Sequence, residues 1–567
     1  YFDRMRTRRF LLRGLWALAS FGAATGRRRA KAQPATNGRV LVKAPDLGPA
    51  GPDGLRPVTV SPPGAASRRR LLAARDDDTR AGRLLAAMLR RGAAGNAGDL
   101  YDNRDRGHSG LRPELHPRLT FVDYAESVRV LGLDYGLGDR LRFPAPVIGN
   151  SSTAITGGPG ARSQPRLATT EPDRIARIAA LYRSNHLYVY PEHRDHDPKR
   201  GDRFHAYAPQ MVVSQGSSGS DRPLLVALAE ALAAMTPETK ALLAEHGALA
   251  PTLHGLLRRA MPEGGTLDRY LTGEAHRTAL DGGAVDRERL LRMANALTPE
   301  TCPPVAGLAV AEEPPPAGVP RVTHFGEGLG EALYDTPHSV SRLARGIGRD
   351  RSYRLNAGPT DALGGPPARF VWRVLRGEGV ALVPTSAGDA VTVTIPWREP
   401  YAAPGAPAIA TFRVDIALFA LRGDVASAPA VFSLAFPPGE TRRYDGNGRP
   451  LVIDRRGGGG AIRPDPLLFP AYGWRDRYEY DASGRLLGWR RDGEGSERRF
   501  TRHGLRVRKT DATGRPVRAE AVVYPVERSP RGVLKVSERS AGAQFRYRYA
   551  GPDDRLGAVE PAPAVLD

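Results

Sequence analysis

Four short polar runs bring together side chains that could bind or transform a ligand: YDNRDRGHS at 101–109, GNSSTAITGGPG at 149–160, PEHRDHD at 191–197 and SQGSSGSD at 214–221. In the first, Asp102, Asp105 and His108 offer a candidate acid/base pair, Asp102 with His108 foremost, with Arg104 and Arg106 between them to hold an anionic or polar ligand. A salt-bridged loop would use the same residues. Asn150 and Ser151 in the second run offer an amide and a hydroxyl. In the third, His193, Asp195 and His196 could begin a divalent-metal site. Zinc would need a further ligand, for which His186, Asp202 and His205 are nearest. His193 is also a candidate catalytic base, whereas Arg194 opposes a cation and either pairs with its acidic neighbours or meets a polar ligand. In the fourth run Ser217 is the candidate nucleophile, and Ser218 and Asp221 are candidate ligand contacts. A Gly-rich loop between an apolar strand and a helix start is a natural anion nest. The phosphate-loop lysine is absent, however, and Gly216 and Gly219 are one residue too close for a nucleophile elbow.

Strand direction decides whether these runs share a site. LYVY at 187–190 and MVVS at 211–214 read as strands. Pro191 and Pro198 keep PEHRDHD extended or tightly turned. If the two strands form an antiparallel hairpin, PEHRDHD and SQGSSGSD leave at opposite ends of the sheet. If they run parallel, both leave the carboxyl edge, where α/β sheets bind ligands. Around them, DDDTRAGRLLAAMLRRG, DRIARIAALYRSN, PLLVALAEALAAM, TPETKALLAEHG, PTLHGLLRRAM and RERLLRMANAL have helical spacing. Thr236 caps one of these helices, with Pro237 in its first turn and Gly247 past its end. Strands mixed with helices indicate an α/β domain over 76–305.

The 567 residues suggest about three domains. A formal charge of +22 would ordinarily raise nucleic acid as a partner. Nine Arg/Lys against one Asp lie in residues 1–32, and the remaining excess is spread in Arg-Asp mixtures without a basic block, so no nucleic-acid partner is expected. RTRRFLLRG, LWALASFGAA and RRRAKA have the basic, apolar and small-residue parts of a cleavable signal over 1–32, with Met5 the expected start. Thr7-Arg8-Arg9-Phe10-Leu11-Leu12 resembles the twin-arginine export signal, with Phe10 one place early. Export of a folded protein to the periplasm or medium is the implied location. The single Cys302 allows no internal disulfide. No later segment reaches the length of a membrane span, so none is expected in the mature chain.

Residues 33–75 read as a Pro/Gly-rich linker, and 306–349 as a proline-rich linker and lead-in. Beyond them FVWRVLRG, AVTVTIPW, TFRVDIALFAL and VFSLAFP alternate as strands of a β-sandwich. YRLNAGPTDALGGPPARFVWRVLRG with the strands after it resembles a PKD (polycystic kidney disease) type domain over 350–437, an immunoglobulin-like fold with a core tryptophan, here Trp372. From 438 to 567 a unit recurs: YDGNGR at 444, YDASGR at 480 and TDATGR at 510. It resembles the YD repeats of Rhs-type surface proteins and implies antiparallel hairpins. The four polar runs together resemble a family of uncharacterised exported bacterial proteins bearing a PKD-like domain, a likeness over about 90–440 that implies no activity.

The expected architecture is therefore multi-domain: a mixed α/β region, a PKD-like β-sandwich and a short antiparallel YD-like region. The expected function is an exported envelope or surface protein whose α/β region binds a polar ligand, with cell-wall glycan or a surface protein as partner and the β-modules as spacer or adhesion surface. The alternative is a secreted or periplasmic hydrolase, metal-assisted or serine-based.

Overall fold

Short apolar runs separated by helices dictate the first layer. A computed structural model describes residues 38–60, 78–93, 98–158, 160–314, 326, 328–363, 369–457, 462–493 and 495–563. The expected signal at 1–32 lies outside these residues. Six strands, β1 (Arg39–Val42), β2 (Leu100–Asn103), β3 (Thr120–Tyr124), β4 (Val147–Asn150), β5 (His186–Pro191) and β6 (Val212–Ser214), pair in the order β1-β3-β2-β4-β5-β6. Every pairing in this sheet is parallel. Alternate side chains enter two cores: Tyr101, Phe121, Ile148, Leu187, Val189 and Val212 on one face, Leu100, Val122, Val147, Tyr188 and Tyr190 on the other. A sheet buried on both faces needs strands that are apolar almost throughout, as Leu187–Tyr190 is, whereas β2 ends on Asp102 and Asn103 and the edge strand β1 leaves Arg39 and Leu41 exposed.

The helices cover both faces. Helices α1 (Arg80–Arg90), α4 (Arg222–Ala234), α5 (Pro237–Glu245), α6 (Leu249–Arg259) and α7 (Arg287–Ala296) share the first core, while α3 (Pro172–Tyr182), which follows α2 (Gln164–Thr170), sends Ile175 and Ile178 into the second. Thr236 Oγ1 accepts from Thr239 N at the start of α5, and Gly247 past its end has φ 59°. Only glycine takes that conformation without strain, and here a Cβ would also meet the Arg183 carbonyl oxygen at 2.0 Å. β1 lies inside the stretch expected as linker. Its four residues are too short a signal beside the surrounding Pro and Gly.

The second layer is a two-sheet sandwich. One sheet runs β7 (Leu308–Glu312), β10 (Asp350–Ala357), β13 (Ala390–Pro396), β12 (Ala381–Pro384). The other runs β8 (Ala332–Asp335), β9 (Ser339–Leu343), β15 (Ala430–Ala435), β14 (Arg413–Arg422), β11 (Arg369–Arg376). β7, β8 and β9 fall within the expected lead-in at 306–349. Tyr353, Leu355, Trp372, Val391, Val393, Ile395, Ile416, Leu418 and Phe432 fill the space between the sheets. Trp372 Nε1 donates to the Gly388 carbonyl at 2.9 Å, which satisfies its one polar atom.

The larger sheet is buried on its outer face too. Val371, Leu375, Phe419, Leu421 and Val431 pack against Tyr207, Tyr270 and Leu271 of the α/β region. That double burial explains why RVDIALFALR is apolar without alternation. The junction is also ionic: Arg413, fully buried, donates to Asp202 Oδ2 at 2.8 Å, Asp415 Oδ2 at 3.0 Å, Thr278 Oγ1 at 2.8 Å and the Phe204 carbonyl at 2.6 Å. Arg376 joins Asp415 at 3.0 Å, and Ser433 donates to the same carboxylate at 2.7 Å.

The third layer is a nine-stranded antiparallel meander: β16 (Thr441–Tyr444), β17 (Pro450–Asp454), β18 (Trp474–Tyr480), β19 (Leu486–Gly493), β20 (Ser496–Thr501), β21 (Arg506–Thr510), β22 (Pro516–Val523), β23 (Arg539–Arg548) and β24 (Ala558–Ala562). The three recurring units are three copies of one turn. Asp445 Oδ1 accepts from Asn447 N and Arg449 N, and Arg449 Nε returns to Oδ2. Asp481 with Arg485, and Asp511 with Arg515, repeat every bond. Gly448, Gly484 and Gly514 sit at φ 77°, 80° and 81°. Two further copies carry a hydroxyl where the others have Asp: Thr501 with Gly504 and Ser529 with Gly532 close the same pair of backbone bonds.

Candidate functional site

Because β5 and β6 are parallel, PEHRDHD and SQGSSGSD leave the sheet at the same edge. Glu192 N donates to the Ser214 carbonyl at 3.1 Å and His193 N to the Gly216 carbonyl at 3.0 Å, so the two loops run on side by side. Glu192, 3 % exposed, fastens them. Its carboxylate accepts from His196 N at 2.9 Å, Gly216 N at 3.1 Å and Gln215 Nε2 at 3.2 Å. Burial pushes this carboxyl up to about 7, against the pull of those amide donors.

β2 is flanked by β3 on one side and β4 on the other, so the chain leaves the sheet in opposite directions on either side of the β2/β4 crevice. Such a point opens a crevice at the carboxyl ends of the strands. The loops after β2, β4 and β6 meet there. Tyr101 OH donates to Asn150 Oδ1 at 2.9 Å, and Asn150 Nδ2 donates to Asp221 Oδ2 at 2.9 Å. Gly219 N donates to Ser109 Oγ at 2.9 Å. Ser218 Oγ donates to Ser152 Oγ at 3.2 Å, and Ser152 Oγ donates in turn to the Asp105 carboxylate. His108, exposed, holds Nδ1 3.8 Å from Asp105 Oδ1. Burial raises Asp221 above the usual carboxylate range, opposed by hydrogen bonds from Ser109 and Asn150. Beside this network a groove of about 760 Å³ opens over Tyr101, Asn103, Arg106, Phe121 and Tyr124.

All four polar runs thus contribute to one edge, but their residues do different things. Ser218 and His108 stand exposed at the crevice, with Asn150 and Asp221 buried in the network behind them. Ser217 is exposed at the loop tip, its carbonyl accepting from Ser220 N at 3.0 Å. Ser151 is buried and bonds Thr153 Oγ1 at 3.1 Å. Arg194 is exposed at φ 67° and His193 sits at φ 46°, where non-glycine residues are rare.

Asp102 and Arg104 lie beneath the edge. Asp102 accepts from Tyr124 OH at 2.8 Å and Tyr188 OH at 2.7 Å and faces Arg104 at 3.5 Å, all of them buried. A carboxylate buried and hydrogen-bonded in this way supports the sheet. Gly138 and Gly149 leave room for the Tyr188 ring: a Cβ would meet it at 2.5 and 2.3 Å.

Of the candidate metal ligands His193, Asp195 and His196, the carboxylate is taken up by ion pairs. Asp195 accepts from Ser163 N and Oγ, both at 2.7 Å, and is held by Arg166 at 2.9 Å and Arg203 at 3.4 Å. His196 Nδ1 bonds Gln215 Oε1 at 3.0 Å, and burial lowers its pKa. Among the described residues no three His, Cys, Asp or Glu side chains are grouped to hold a metal ion. Arg166 is shared with Asp465, which reaches in from the segment between β17 and β18 and also faces Arg162 at 3.6 Å.

Asp105, one of the acid/base candidates of YDNRDRGHS, lies in this network, whereas nothing in the sequence marks Ser109, Ser152 or Glu192 as site residues. The one local signal for Ser109 is a left-handed backbone at Arg106 and Ser109, φ 51° and 55°, after a strand. No helix among the described residues is long and apolar enough to cross a membrane. No protein-family model and no curated protein matches this chain, so its function rests on the chemistry of the carboxyl edge.

Proposed function

We propose that the protein is an exported envelope or surface protein that binds a hydroxyl-bearing ligand, a cell-wall glycan in chemical class, at the carboxyl edge of its parallel sheet. The observation that carries this reading is the meeting of the polar loops after β2, β4 and β6 at the point where the chain reverses across β2 and β4, with PEHRDHD fastened to the last of them. Their side chains are hydroxyls, amides and carboxylates, the groups that accept from and donate to sugar hydroxyls, and the neighbouring groove has Tyr101 and Phe121 in its floor. The twin-arginine-like Thr7–Leu12 supports export. The buried Trp372 between two sheets supports the PKD-like reading, and the repeated Asp-to-Arg turn supports the YD-like one. The larger sheet of the sandwich is covered by the α/β region, so the smaller sheet's outer face and the meander are the β surfaces left to act as spacer or adhesion surface. Calorimetric titration with soluble peptidoglycan fragments tests the reading. Binding that weakens about tenfold in Ser152→Ala and Asn150→Ala, the loss of one or two hydrogen bonds, is expected. Wild-type protein that binds no glycan fragment overturns it.

A second reading, a serine hydrolase, draws on the chain Ser218 Oγ to Ser152 Oγ to Asp105, which could carry a proton away from Ser218. Ester turnover abolished in Ser218→Ala and retained in Ser217→Ala would favour it over simple binding.

A further inference from the structure

The sandwich and the meander meet around a cavity of about 250 Å³, lined from the turn after β9, the stretch joining β15 to β16 and the segment between β17 and β18. Most of the lining is apolar, with Pro437, Pro464, Pro466, Phe469, Pro470 and Leu534. Its charged part is three guanidiniums, Arg345, Arg455 and Arg456, against one carboxylate, Glu440. Both oxygens of Glu440 are engaged, by Arg442 Nε at 2.5 Å and Arg455 Nε at 3.1 Å, and Arg456 pairs with Asp454 at 2.9 Å. Arg345 is different. It is 8 % exposed, and its guanidinium donates to carbonyls, Nε to Gly330 at 2.9 Å and Nη2 to Leu468 at 2.7 Å. Burial lowers its pKa, and the Tyr472 hydroxyl, in place of any carboxylate among the described residues, is what raises it. Arg455 is 3 % exposed and leaves its buried Nη2 without a partner. A buried guanidinium unmatched by a carboxylate is destabilising, and an unpartnered buried N–H on a residue that lines a cavity marks the place of a missing acceptor.

We propose that this cavity binds a small aromatic carboxylate, its ring against the prolines and Phe469 and its carboxylate on the Arg345 and Arg455 guanidiniums. The volume suits one ring with a short acid tail: an apolar cavity of about 150 Å³ holds benzene, and this one is larger. A guanidinium presents forked donors that match two carboxylate oxygens. Proline has no N–H to donate, so a sugar would leave hydroxyls unpaired against this lining, whereas a flat apolar ring would not. The cavity shares no lining residue with the groove at the carboxyl edge, so the two sites stand or fall separately.

Calorimetric titration of the full chain with phenylacetate tests this, with phenylethanol as the uncharged control. The acid is expected to bind about tenfold more tightly than the alcohol, the worth of a charge-assisted pair. Arg345→Gln, checked for folding by near-ultraviolet dichroism, is expected to weaken the acid about tenfold and leave the alcohol unchanged. Pro464→Glu sets a carboxylate at an exposed point of the lining, away from the buried arginines, and serves even where Arg345→Gln does not fold. It too is expected to weaken the acid about tenfold, by like-charge repulsion, and to spare the alcohol. An acid that does not bind, an acid and an alcohol that bind equally, or acid binding that Pro464→Glu leaves unchanged overturns the proposal. None of these outcomes bears on glycan binding, which the Ser152→Ala titration reads.

Discussion

Replacing Arg413 by Met tests whether the sandwich and the α/β region are one cooperative structure. The side chain is fully buried and its fork serves two carboxylates, a hydroxyl and a carbonyl. Met fills much of the same volume but leaves Asp202 and Asp415 facing Arg376 alone. Removing one member of a buried ionic network costs about 3–5 kcal/mol, most of it from the charge left behind. Asp202 gives the same network a pH signature. Burial would raise its carboxyl, but Arg413 and Arg376 outweigh that and hold it down to about 2, against an ordinary 3.8. A depressed carboxyl contributes stability above its unfolded pKa and loses it as pH falls through the folded one. About 2 kcal/mol should therefore disappear between pH 4 and pH 2 in the wild type, and less in Arg413→Met. Denaturant unfolding followed by calorimetry and tryptophan emission reads both effects. The double variant Asp202→Asn with Arg413→Met should recover part of the loss, because the orphaned charge is gone. A single variant within about 0.5 kcal/mol of wild type would refute the reasoning, since that is the size of an ordinary surface change.

Glu192, held up to about 7, should make the wild type lose about 3 kcal/mol relative to Glu192→Gln as pH rises from 4.5 to 7, because the unfolded chain ionises first; parallel pH titrations of unfolding check this. Gly149→Ala drives a methyl into the Tyr188 ring and should leave little folded protein, seen as lost solubility and near-ultraviolet dichroism. Gly514→Ala, where a methyl meets open space but φ is 81°, should cost only about 1 kcal/mol in thermal unfolding.

Where the controlling physics is local, the sequence carried it. Thr236, Pro237 and Gly247 mark α5 because cap, first-turn proline and left-handed glycine each act within a few residues. The Asp-to-Arg turn is legible for the same reason, and the copies at Thr501 and Ser529 escaped because a hydroxyl replaces the carboxylate that makes the motif visible. What decides the site is not local. Ser152 looks no different from Ser151 in the run GNSST, yet one bonds Asp105 in the crevice and the other turns back to Thr153. Asp102 and Asp105 are three residues apart in one polar run, yet the first, at the end of β2, is buried under Tyr124 and Tyr188 while the second faces Ser152 in the crevice. Strand direction, which brings PEHRDHD and SQGSSGSD together, follows from the crossover topology and from no residue within either run.

The pairing of Arg166 with Asp465 has a consequence for the order in which the chain can mature. Its partners are 299 residues apart, and Arg166 also holds Asp195 on the carboxyl edge. During synthesis the first sheet can assemble as soon as β6 has emerged, but a buried guanidinium keeps one carboxylate too few until the segment before β18 arrives. The carboxyl edge therefore sets only once Asp465 has emerged, and a chain cut short after the sandwich would carry a loosened PEHRDHD loop in an otherwise native sheet.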